Sequence, residues 1–194
     1  MTPAEQTKSL YCMSCGEQTP TYQVKEGPKV ELRCSYCGFT VERGLIGLDA
    51  ALECIILADD ELLFRSLLSD MVIEEKLSQE VIACESGAHL LTECVRRFRD
   101  QRPISLVILD ILMSPMDGSA AAVALRALEK GFDLPTPTPI LFVSAVRADD
   151  ALRQMVQGLV PAGYLNKGKD SSPPLLARRI KEIIPHLFTP VGSG

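Results

Sequence analysis

The sequence predicts an α/β fold in which a doubly wound, five-stranded parallel sheet follows a small N-terminal β module. From residue 53 onward, short apolar runs alternate with longer stretches of helical periodicity, as in consecutive strand–helix units. The apolar runs are continuous, which is typical of strands that are buried on both faces. Before residue 38, four of the seven cysteines form two C-x-x-C pairs. Together these features predict one large α/β domain and one small cysteine-rich module.

The large part contains five predicted strands that alternate with five predicted helices. The strands are expected at residues 54–58, 81–84, 104–109, 140–143 and 163–165, and the helices at 62–72, 88–98, 119–130, 149–159 and from 173 onward. Ser172 before Pro173 is an N-cap signal for the last helix, which Pro185 is expected to end or kink. Because parallel strands need right-handed crossovers, the helices should cover both faces of the sheet.

Domain boundaries follow from the change in pattern. We predict a module over residues 1–43, a glycine-containing linker over 44–52 and the large domain over 53–190. Residues 1–45 hold five basic and five acidic residues, so the formal net charge of −5 belongs to the large part. The N-terminus has neither a basic nor an apolar leader segment, and no apolar run is long enough to span a bilayer. A cytoplasmic protein without a membrane association is therefore expected.

The four paired cysteines predict a zinc site. Cys12 and Cys15 are separated from Cys34 and Cys37 by 18 residues, a spacing found in four-thiolate zinc modules. Glycine follows each pair and permits the tight turn that a knuckle needs. Alternating residues on either side of Gly27-Pro28 predict a hairpin, so the module resembles a zinc ribbon. Structural disulfides are disfavoured by the expected compartment, and a thioredoxin-like context for redox chemistry is absent.

The partner of the module is less constrained by the sequence. Aromatic residues of the module, namely Tyr11, Tyr22, Tyr36 and Phe39, could stack on nucleic-acid bases, although aromatic side chains in so small a unit usually form its core. The module carries no net charge, which argues against an electrostatic footprint for nucleic acid. A protein partner is therefore favoured, and nucleic acid is disfavoured.

Chemically active residues follow the predicted strands at the edge where the carboxyl ends of a parallel sheet meet. Asp59 and Asp60 follow the first strand, Asp110 the third, Ser144 the fourth and Lys167 the fifth. Three carboxylates at one edge repel each other unless a cation is present, and Mg2+ prefers oxygen ligands. Any one of these aspartates alone could be a helix cap. The whole set instead predicts an Asp nucleophile for a phosphoryl group, with a hydroxyl and an ammonium group to neutralise its oxygens.

With these residues, positions 53–188 resemble the receiver domain of two-component response regulators. The resemblance implies a flavodoxin-like fold with sheet order 2-1-3-4-5 and identifies Asp110 as the phosphoacceptor. It implies that Asp59, Asp60, Asp110 and the backbone carbonyl of Leu112 hold Mg2+. It also implies that Lys167 contacts the acyl phosphate, and that Ser144 and Tyr164 rearrange together on phosphorylation.

Two positions differ from the family pattern, and two more carry a kinetic expectation. Ser114 stands where the family usually has proline, and Pro115 follows one residue later. Lys167 is followed by Gly168 rather than by the proline that normally carries a cis bond, so a trans or mobile loop is expected. The family resemblance implies that the side chains at positions 112 and 146 influence access of the water that hydrolyses the acyl phosphate. Because Leu112 and Val146 are apolar, slow self-dephosphorylation is expected.

The resulting functional prediction is a signalling switch without enzymatic activity beyond its own phosphorylation and dephosphorylation. A sensor histidine kinase or phosphotransfer protein would phosphorylate Asp110, and the face formed by the fourth helix, fifth strand and fifth helix, or the ribbon, would bind a downstream protein. Two alternatives stay open: a nucleic-acid-binding regulator that uses the zinc ribbon, and a phosphorylation-independent scaffold. An Asp-nucleophile phosphatase is disfavoured, since Leu112 occupies the position where such enzymes need a second aspartate.

Overall fold

The computed structural model describes residues 9–26, 29–41, 51–168 and 173–188. In the first two ranges, three antiparallel strands form a small sheet of order β1-β2-β3. These strands are β1 (Ser9–Cys12), β2 (Glu17–Glu26) and β3 (Lys29–Cys34). The pairing of Glu26 with Lys29 confirms the predicted hairpin, whose turn residues 27–28 lie outside the described ranges. This small sheet and the loops around the four paired cysteines are called the cysteine module below.

The remaining elements form the predicted three-layer α/β sandwich. In chain order they are β4 (Leu52–Ala58), α1 (Leu62–Glu74), β5 (Ser78–Cys84), α2 (Gly87–Arg99), β6 (Leu106–Leu109), α3 (Gly118–Gly131), β7 (Ile140–Ser144), α4 (Asp150–Gly158), β8 (Ala162–Asn166) and α5 (Pro173–Phe188). The five strands are parallel in the order β5-β4-β6-β7-β8, which confirms the predicted order 2-1-3-4-5. The chain therefore places β8 at one edge of the large sheet.

The core of the large domain consists of two apolar layers, one on each face of the sheet. Alternate residues of the central strands belong to opposite layers: Ile56 and Phe142 face the layer that includes α2 and α3, whereas Ile55 and Leu141 face the layer that includes α1 and α5. All four side chains are completely buried. This double burial explains why the strands are apolar without interruption.

The observed element ends differ from the predicted ones in a few places. β5 begins at Ser78, three residues before the predicted start, and β6 begins at Leu106, two residues after it. Pro185 was expected to end or kink the last helix; α5 continues through this proline to Phe188, so the helix does not end there. The Ser172 cap and most of the predicted linker lie outside the described residues, and the domain boundaries stay predictions. No helix among the described residues is long and apolar enough to cross a membrane.

Candidate functional site

Parallel pairing brings the predicted active residues to one edge of the sheet. The amide of Asp110 donates to the carbonyl of Ala58 at 2.9 Å, and this hydrogen bond aligns the end of β6 with the end of β4. Asp59 follows Ala58 directly and is therefore adjacent to Asp110. One oxygen from each of Asp59, Asp60 and Asp110 lies within 4.8 Å of the others. The predicted cluster of three carboxylates is thus present.

The three carboxylates differ in their surroundings. Asp59 and Asp110 are buried, with 1% and 7% of their surfaces exposed, whereas Asp60 is exposed. Burial raises the pKa of Asp59, and its hydrogen bond to Lys167 opposes this shift only in part. The exposed Asp60 accepts a hydrogen bond from the amide of Ser114 at 3.1 Å, which ties the loop after β6 to the loop after β4. The cluster is therefore open to solvent on the Asp60 side and enclosed on the other.

Lys167 joins the two buried carboxylates. Its ammonium group lies 2.8 Å from Oδ2 of Asp59 and 3.0 Å from Oδ2 of Asp110. The ammonium also lies 3.9 Å from the centre of the Phe64 ring, a cation–π distance. Burial alone would lower the pKa of Lys167, but the two carboxylates outweigh it and raise that pKa. Lys167 is therefore held in its charged form beside Asp110.

The arrangement fits a hard divalent cation. Three carboxylates carry more negative charge than the single ammonium of Lys167 balances, and carboxylate oxygens are the ligands that Mg2+ prefers. An oxygen of Asp110 within reach of both a cation and an ammonium group is well placed to attack an electrophilic phosphorus. No contact of the Leu112 carbonyl is described, so its metal-ligand role stays a prediction.

Ser144 contributes a hydroxyl group without a partner. Its side chain is completely buried, and Oγ has no hydrogen-bond partner within the described part of the chain. A buried hydroxyl usually finds a partner, because an unsatisfied one costs about 1–3 kcal/mol. The carbonyl of Ser144 accepts from the amide of Lys167 at 2.8 Å, which places both residues at the same end of the sheet. The free hydroxyl is thus available to a group that binds at this edge.

Tyr164 belongs to a small polar group behind Ser144. Its ring is buried, and its hydroxyl donates to the carbonyl of Val146. The side-chain amide of Asn166 donates to the same carbonyl at 2.7 Å and to the Tyr164 hydroxyl at 2.8 Å. Burial raises the pKa of Tyr164 to about 12, so the hydroxyl stays protonated. Asn166 had no distinctive signal in the sequence, because an asparagine at a strand end is also an ordinary turn residue.

Gly118, at the start of α3, approaches the backbone of Asp110 more closely than a side chain permits. A Cβ atom at this position would lie 2.0 Å from the carbonyl oxygen of Asp110. The amide of Gly118 also donates to the carbonyl of Ile111 at 2.9 Å. Glycine is therefore required for the loop to close over the site. No pattern in the sequence reveals this contact, since residue 118 lies eight positions after Asp110.

The four paired cysteines also converge. Their sulfur atoms all lie within 4.8 Å of one another, with Cys12 Sγ 3.5 Å from Cys37 Sγ and Cys15 Sγ 3.7 Å from Cys34 Sγ. Four sulfurs bound to one zinc ion at about 2.3 Å lie about 3.8 Å apart, so the spacing fits this ion. Hydrogen bonds among the four thiols lower the pKa of Cys34 and of Cys37, whereas the pKa values of Cys12 and Cys15 are raised, so the thiolate form is favoured in only part of the cluster.

The knuckles have the expected backbone geometry. Gly16 and Gly38 have φ angles of +74° and +76°, which confirms that the turn after each pair needs glycine. Amide groups point toward sulfur in both knuckles: that of Cys15 lies 3.4 Å from Cys12 Sγ, and that of Tyr36 lies 3.3 Å from Cys34 Sγ. Such contacts stabilise thiolates and are a common outer shell of metal–sulfur sites.

Comparisons with known proteins agree with this geometry. The family model of the response regulator receiver domain matches residues 55–177. A search of curated proteins finds no significant match. The receiver domain of the histidine kinase CKI1 from Arabidopsis thaliana, solved with Mg2+ and BeF3−, has 22% identity and a TM-score of 0.50, covering 66% of this chain and 89% of that one.

Two bacterial structures show the same likeness. The chemotaxis protein CheY4 of Vibrio cholerae has 19% identity and a TM-score of 0.51, with 67% of this chain and 97% of that chain covered. CheY in the CheX–CheY–BeF3−–Mg2+ complex of Borrelia burgdorferi has 16% identity and a TM-score of 0.50, with coverages of 67% and 87%. At these identities the likeness shows a shared fold, and the family model, which matches residues 55–177, does not extend over the cysteine module.

Proposed function

Because the chain belongs to the response regulator receiver domain family, we propose that it is a signalling switch whose phosphoacceptor is Asp110. A sensor histidine kinase or a phosphotransfer protein would supply the phosphoryl group from a phosphohistidine. An oxygen of Asp110 forms the new O–P bond while the histidine N–P bond breaks, and the histidine takes up a proton. The product is an acyl phosphate on Asp110.

The observation that carries the proposal is the set of groups around Asp110. Lys167 lies 3.0 Å from Asp110 and can neutralise one phosphoryl oxygen. The buried Ser144 hydroxyl has no partner in the described chain and can donate to a second oxygen. Ser144 and Lys167 are therefore positioned by neighbouring strands to receive the group that Asp110 acquires.

The carboxylates would hold Mg2+, which neutralises phosphoryl oxygens when it is bound. Asp59, Asp60 and Asp110 fit this role by their convergence, and the Leu112 carbonyl is assigned to it by the family resemblance. Switching would couple Ser144 to Tyr164, whose hydroxyl already lies in a defined polar group with Asn166. The cysteine module covers the open edge of β8 and contacts α4 and α5. A change at Ser144 and Tyr164 would therefore alter the affinity for a downstream protein of the surface formed by α4, α5 and this module. We place the switch in the cytoplasm.

The cysteine module would hold Zn2+ through Cys12, Cys15, Cys34 and Cys37. The four converging sulfurs and the knuckle geometry support this assignment. The described module buries almost no aliphatic side chain, so the metal would supply much of its folding free energy.

Beryllofluoride, an analogue of a phosphoryl group, tests the switch directly. The wild-type protein should bind it in the presence of Mg2+, and Asp110→Asn should not, because the analogue needs a carboxylate oxygen. Asp70→Asn is a matched control, since Asp70 is exposed on α1. Calorimetric titration of the three proteins measures the difference. Binding of equal strength to Asp110→Asn would contradict the proposed phosphoacceptor.

Partner capture separates the switch from its alternatives. With wild-type protein, the set of captured proteins should change when beryllofluoride and Mg2+ are added, whereas with Asp110→Asn it should stay constant. If both proteins capture the same partners under both conditions, a constitutive scaffold replaces the switch. A salt-dependent gel shift of labelled DNA or RNA would instead support the nucleic-acid-binding alternative.

The lifetime of the acyl phosphate tests the effect of the flanking apolar residues. Leu112 is 61% exposed beside Asp110, and neither it nor Val146 can orient a water molecule with its side chain. The phosphorylated protein should therefore lose phosphate slowly, and Leu112→Glu should shorten the lifetime. Release of inorganic phosphate from purified acyl phosphate measures this rate. A wild-type lifetime of seconds would contradict the expectation.

A further inference from the structure

The cysteine module lies against the edge strand β8 of the large sheet. Ser14, inside the first C-x-x-C pair, donates its hydroxyl to the carbonyl of Tyr164 at 2.5 Å. The carbonyl of Ser14 accepts from the amide of Asn166 at 2.7 Å. These two bonds satisfy backbone groups at the open edge of β8, which would otherwise face solvent. Ser14 is 2% exposed, so the contact excludes water.

Arg179 of α5 makes the second half of this contact. Its guanidinium donates to the carbonyls of Met13 and Ser14 at 2.8 and 3.0 Å, and to the carbonyl of Asn166 at 2.8 Å. The space around it is filled: a Cβ atom on Gly16 would lie 2.7 Å from the guanidinium carbon. Arg179 therefore joins the first knuckle, β8 and α5 through one side chain.

The charge of Arg179 lacks an obvious counter-ion. The side chain is 1% exposed, yet no carboxylate of the described residues lies within 4.0 Å of it. Arg97, which is 3% exposed, forms an ion pair with Glu80 at 2.8 Å, so buried arginine in this protein is elsewhere paired. Burial lowers the pKa of Arg179, and the nearby Tyr11, Cys12 and Cys15 oppose this shift only in part. An unpaired buried charge is costly, and this one is directed at the backbone of a knuckle that carries two thiols.

A metal-loaded module would supply the missing negative charge. Four thiolates around one Zn2+ leave a net negative charge on the centre. That charge would lie beside the Arg179 guanidinium, because Met13 and Ser14 separate Cys12 from Cys15 in the sequence. The buried guanidinium and the thiolate cluster thus complement each other across the two domains.

The contact between the cysteine module and β8 is linked to the Asp110 site by two consecutive residues, Asn166 and Lys167. Asn166 is held by the knuckle at its amide and by Arg179 at its carbonyl, and the next residue is Lys167. The amide of Lys167 donates to the carbonyl of Ser144, and its ammonium contacts Asp59 and Asp110. Docking of the knuckle therefore fixes the end of β8 from which Lys167 extends.

We propose that Arg179 is the counter-ion of the metal-loaded four-thiolate centre, and that metal binding, by docking the module on β8, increases the affinity of the Asp110 site for a phosphoryl group. The first part concerns the metal centre alone, and the second part rests on the proposed function. Because binding linkage is reciprocal, occupancy of the Asp110 site increases the affinity of the four cysteines for Zn2+ by the same factor. Arg179 and Asn166 are positioning residues in this scheme.

Zinc affinity tests the counter-ion. Competition with a chromophoric chelator gives the affinity of the full chain, with reductant present and without beryllofluoride. Arg179→Met should weaken zinc binding roughly tenfold, as the loss of other outer-shell partners of metal sites does. Arg179→Lys keeps the charge, so its zinc affinity should be closer to that of the wild-type protein.

Arg178→Met is the matched control, because Arg178 is an exposed neighbour that pairs with Glu182. Its zinc affinity should equal that of the wild-type protein. Equal affinities in Arg179→Met and Arg178→Met would overturn the counter-ion assignment.

The coupling is measured on wild-type protein, so that no variant needs to fold. Zinc-loaded protein and protein stripped of zinc and freed from chelator are each titrated with Mg2+ and beryllofluoride. The zinc-loaded protein should bind the analogue roughly three- to tenfold more tightly, within the usual range of coupling between sites. Equal binding, or tighter binding without zinc, would overturn the coupling. Absence of binding in both samples would overturn the proposed function and the coupling together, while the zinc affinities still decide the role of Arg179.

Discussion

The large sheet and the cysteine module are stabilised in different ways. The central strands of the large sheet bury aliphatic and aromatic side chains on both faces, including Ile56 and Phe142. In the described module, the buried side chains are small or sulfur-containing: Cys12, Ser14, Thr19, Thr21 and Cys34. Burial of apolar surface stabilises the first region, whereas the second has too little of it and, by our proposal, would depend on a bound metal and on contacts with β8. One chain thus contains a domain with its own core and a module without one.

Removal of the metal should have the largest effect and should be confined to the module. Cys34→Ser, or chelation of zinc, should abolish amide-exchange protection in residues 9–41, because the metal contributes the folding free energy of this region. Protection of the central strands β4 and β6 should persist. Cys94→Ser is the control, since Cys94 is buried in the large domain and should keep zinc binding intact. Retained protection of the module without metal would show that the two regions are less different than we infer.

A cavity in the large core should have the converse effect. Ile56→Ala removes a completely buried side chain from β4 and should lower the free energy of unfolding by about 2–5 kcal/mol. Urea denaturation measures this change, and the zinc content of the folded variant should stay at one ion per chain. Loss of zinc from folded Ile56→Ala would mean that the module shares the core of the sheet.

Thiol modification should separate the two groups of cysteines. Burial raises the pKa of Cys84 and of Cys94 to about 12, and it also raises the pKa of Cys54. These three thiols should therefore stay protonated and unreactive toward a maleimide at pH 8. Removal of zinc should expose four reactive thiols, and denaturant all seven. Fast reaction of Cys94 in the native protein would contradict its placement in the core.

The same shifts give a dependence of stability on pH. Because folding raises these thiol pKa values, the folded state favours the protonated thiol, and that contribution is complete below about pH 9. It is lost as pH rises toward 12. Cys94→Ala should therefore lose less stability than wild type between pH 9 and pH 12, which urea denaturation at each pH measures. An equal loss in both proteins would contradict the buried thiol as its source.

The smallest effect should come from the rim of the contact between the two regions. Arg147 and Glu17 lie 3.2 Å apart, but 73% and 40% of their side chains are exposed. Exposed ion pairs contribute at most about 1 kcal/mol, so Arg147→Ala should change zinc affinity by no more than about fivefold. The chelator competition used for Arg179→Met measures this change. If Arg147→Ala weakened zinc binding as much as Arg179→Met does, the exposed Arg147–Glu17 pair would be as important to the contact as the buried Arg179, which would contradict our inference.

The strand positions and the ends of the strands were predictable for a local reason. Apolar runs stop where the chain leaves the sheet, and polar residues begin there, so Asp59, Asp110 and Lys167 could be placed at one edge before the structure was known. The strand starts were less predictable, since β5 begins with the polar segment Ser78-Gln-Glu, which pairs with β4 without an apolar signal. Pro185 does not end α5, because a proline near the end of a helix is tolerated when only one hydrogen bond is lost.

Other parts of the candidate site had no local signal. Gly118 follows Asp117 at the start of a helix, an ordinary capping pattern, and its approach to Asp110 depends on how α3 packs over β6. Arg179 lies in an amphipathic helix, where an arginine is normally exposed. Its burial results from contact with a module more than 130 residues earlier in the chain, and the residue pattern of α5 does not indicate that this module packs against it.

Residue patterns alone thus determine which chemistry each region can carry: carboxylates, a hydroxyl and an ammonium group at the strand ends, and four thiolates in two knuckles. Both sets are encoded within short segments, because a strand end or a C-x-x-C turn needs only its immediate neighbours. The relation between the two sites was decided by the tertiary structure, which docks Ser14 on β8 and buries Arg179 between them. Such a contact depends on the shape and charge of two surfaces that form only when each region has folded.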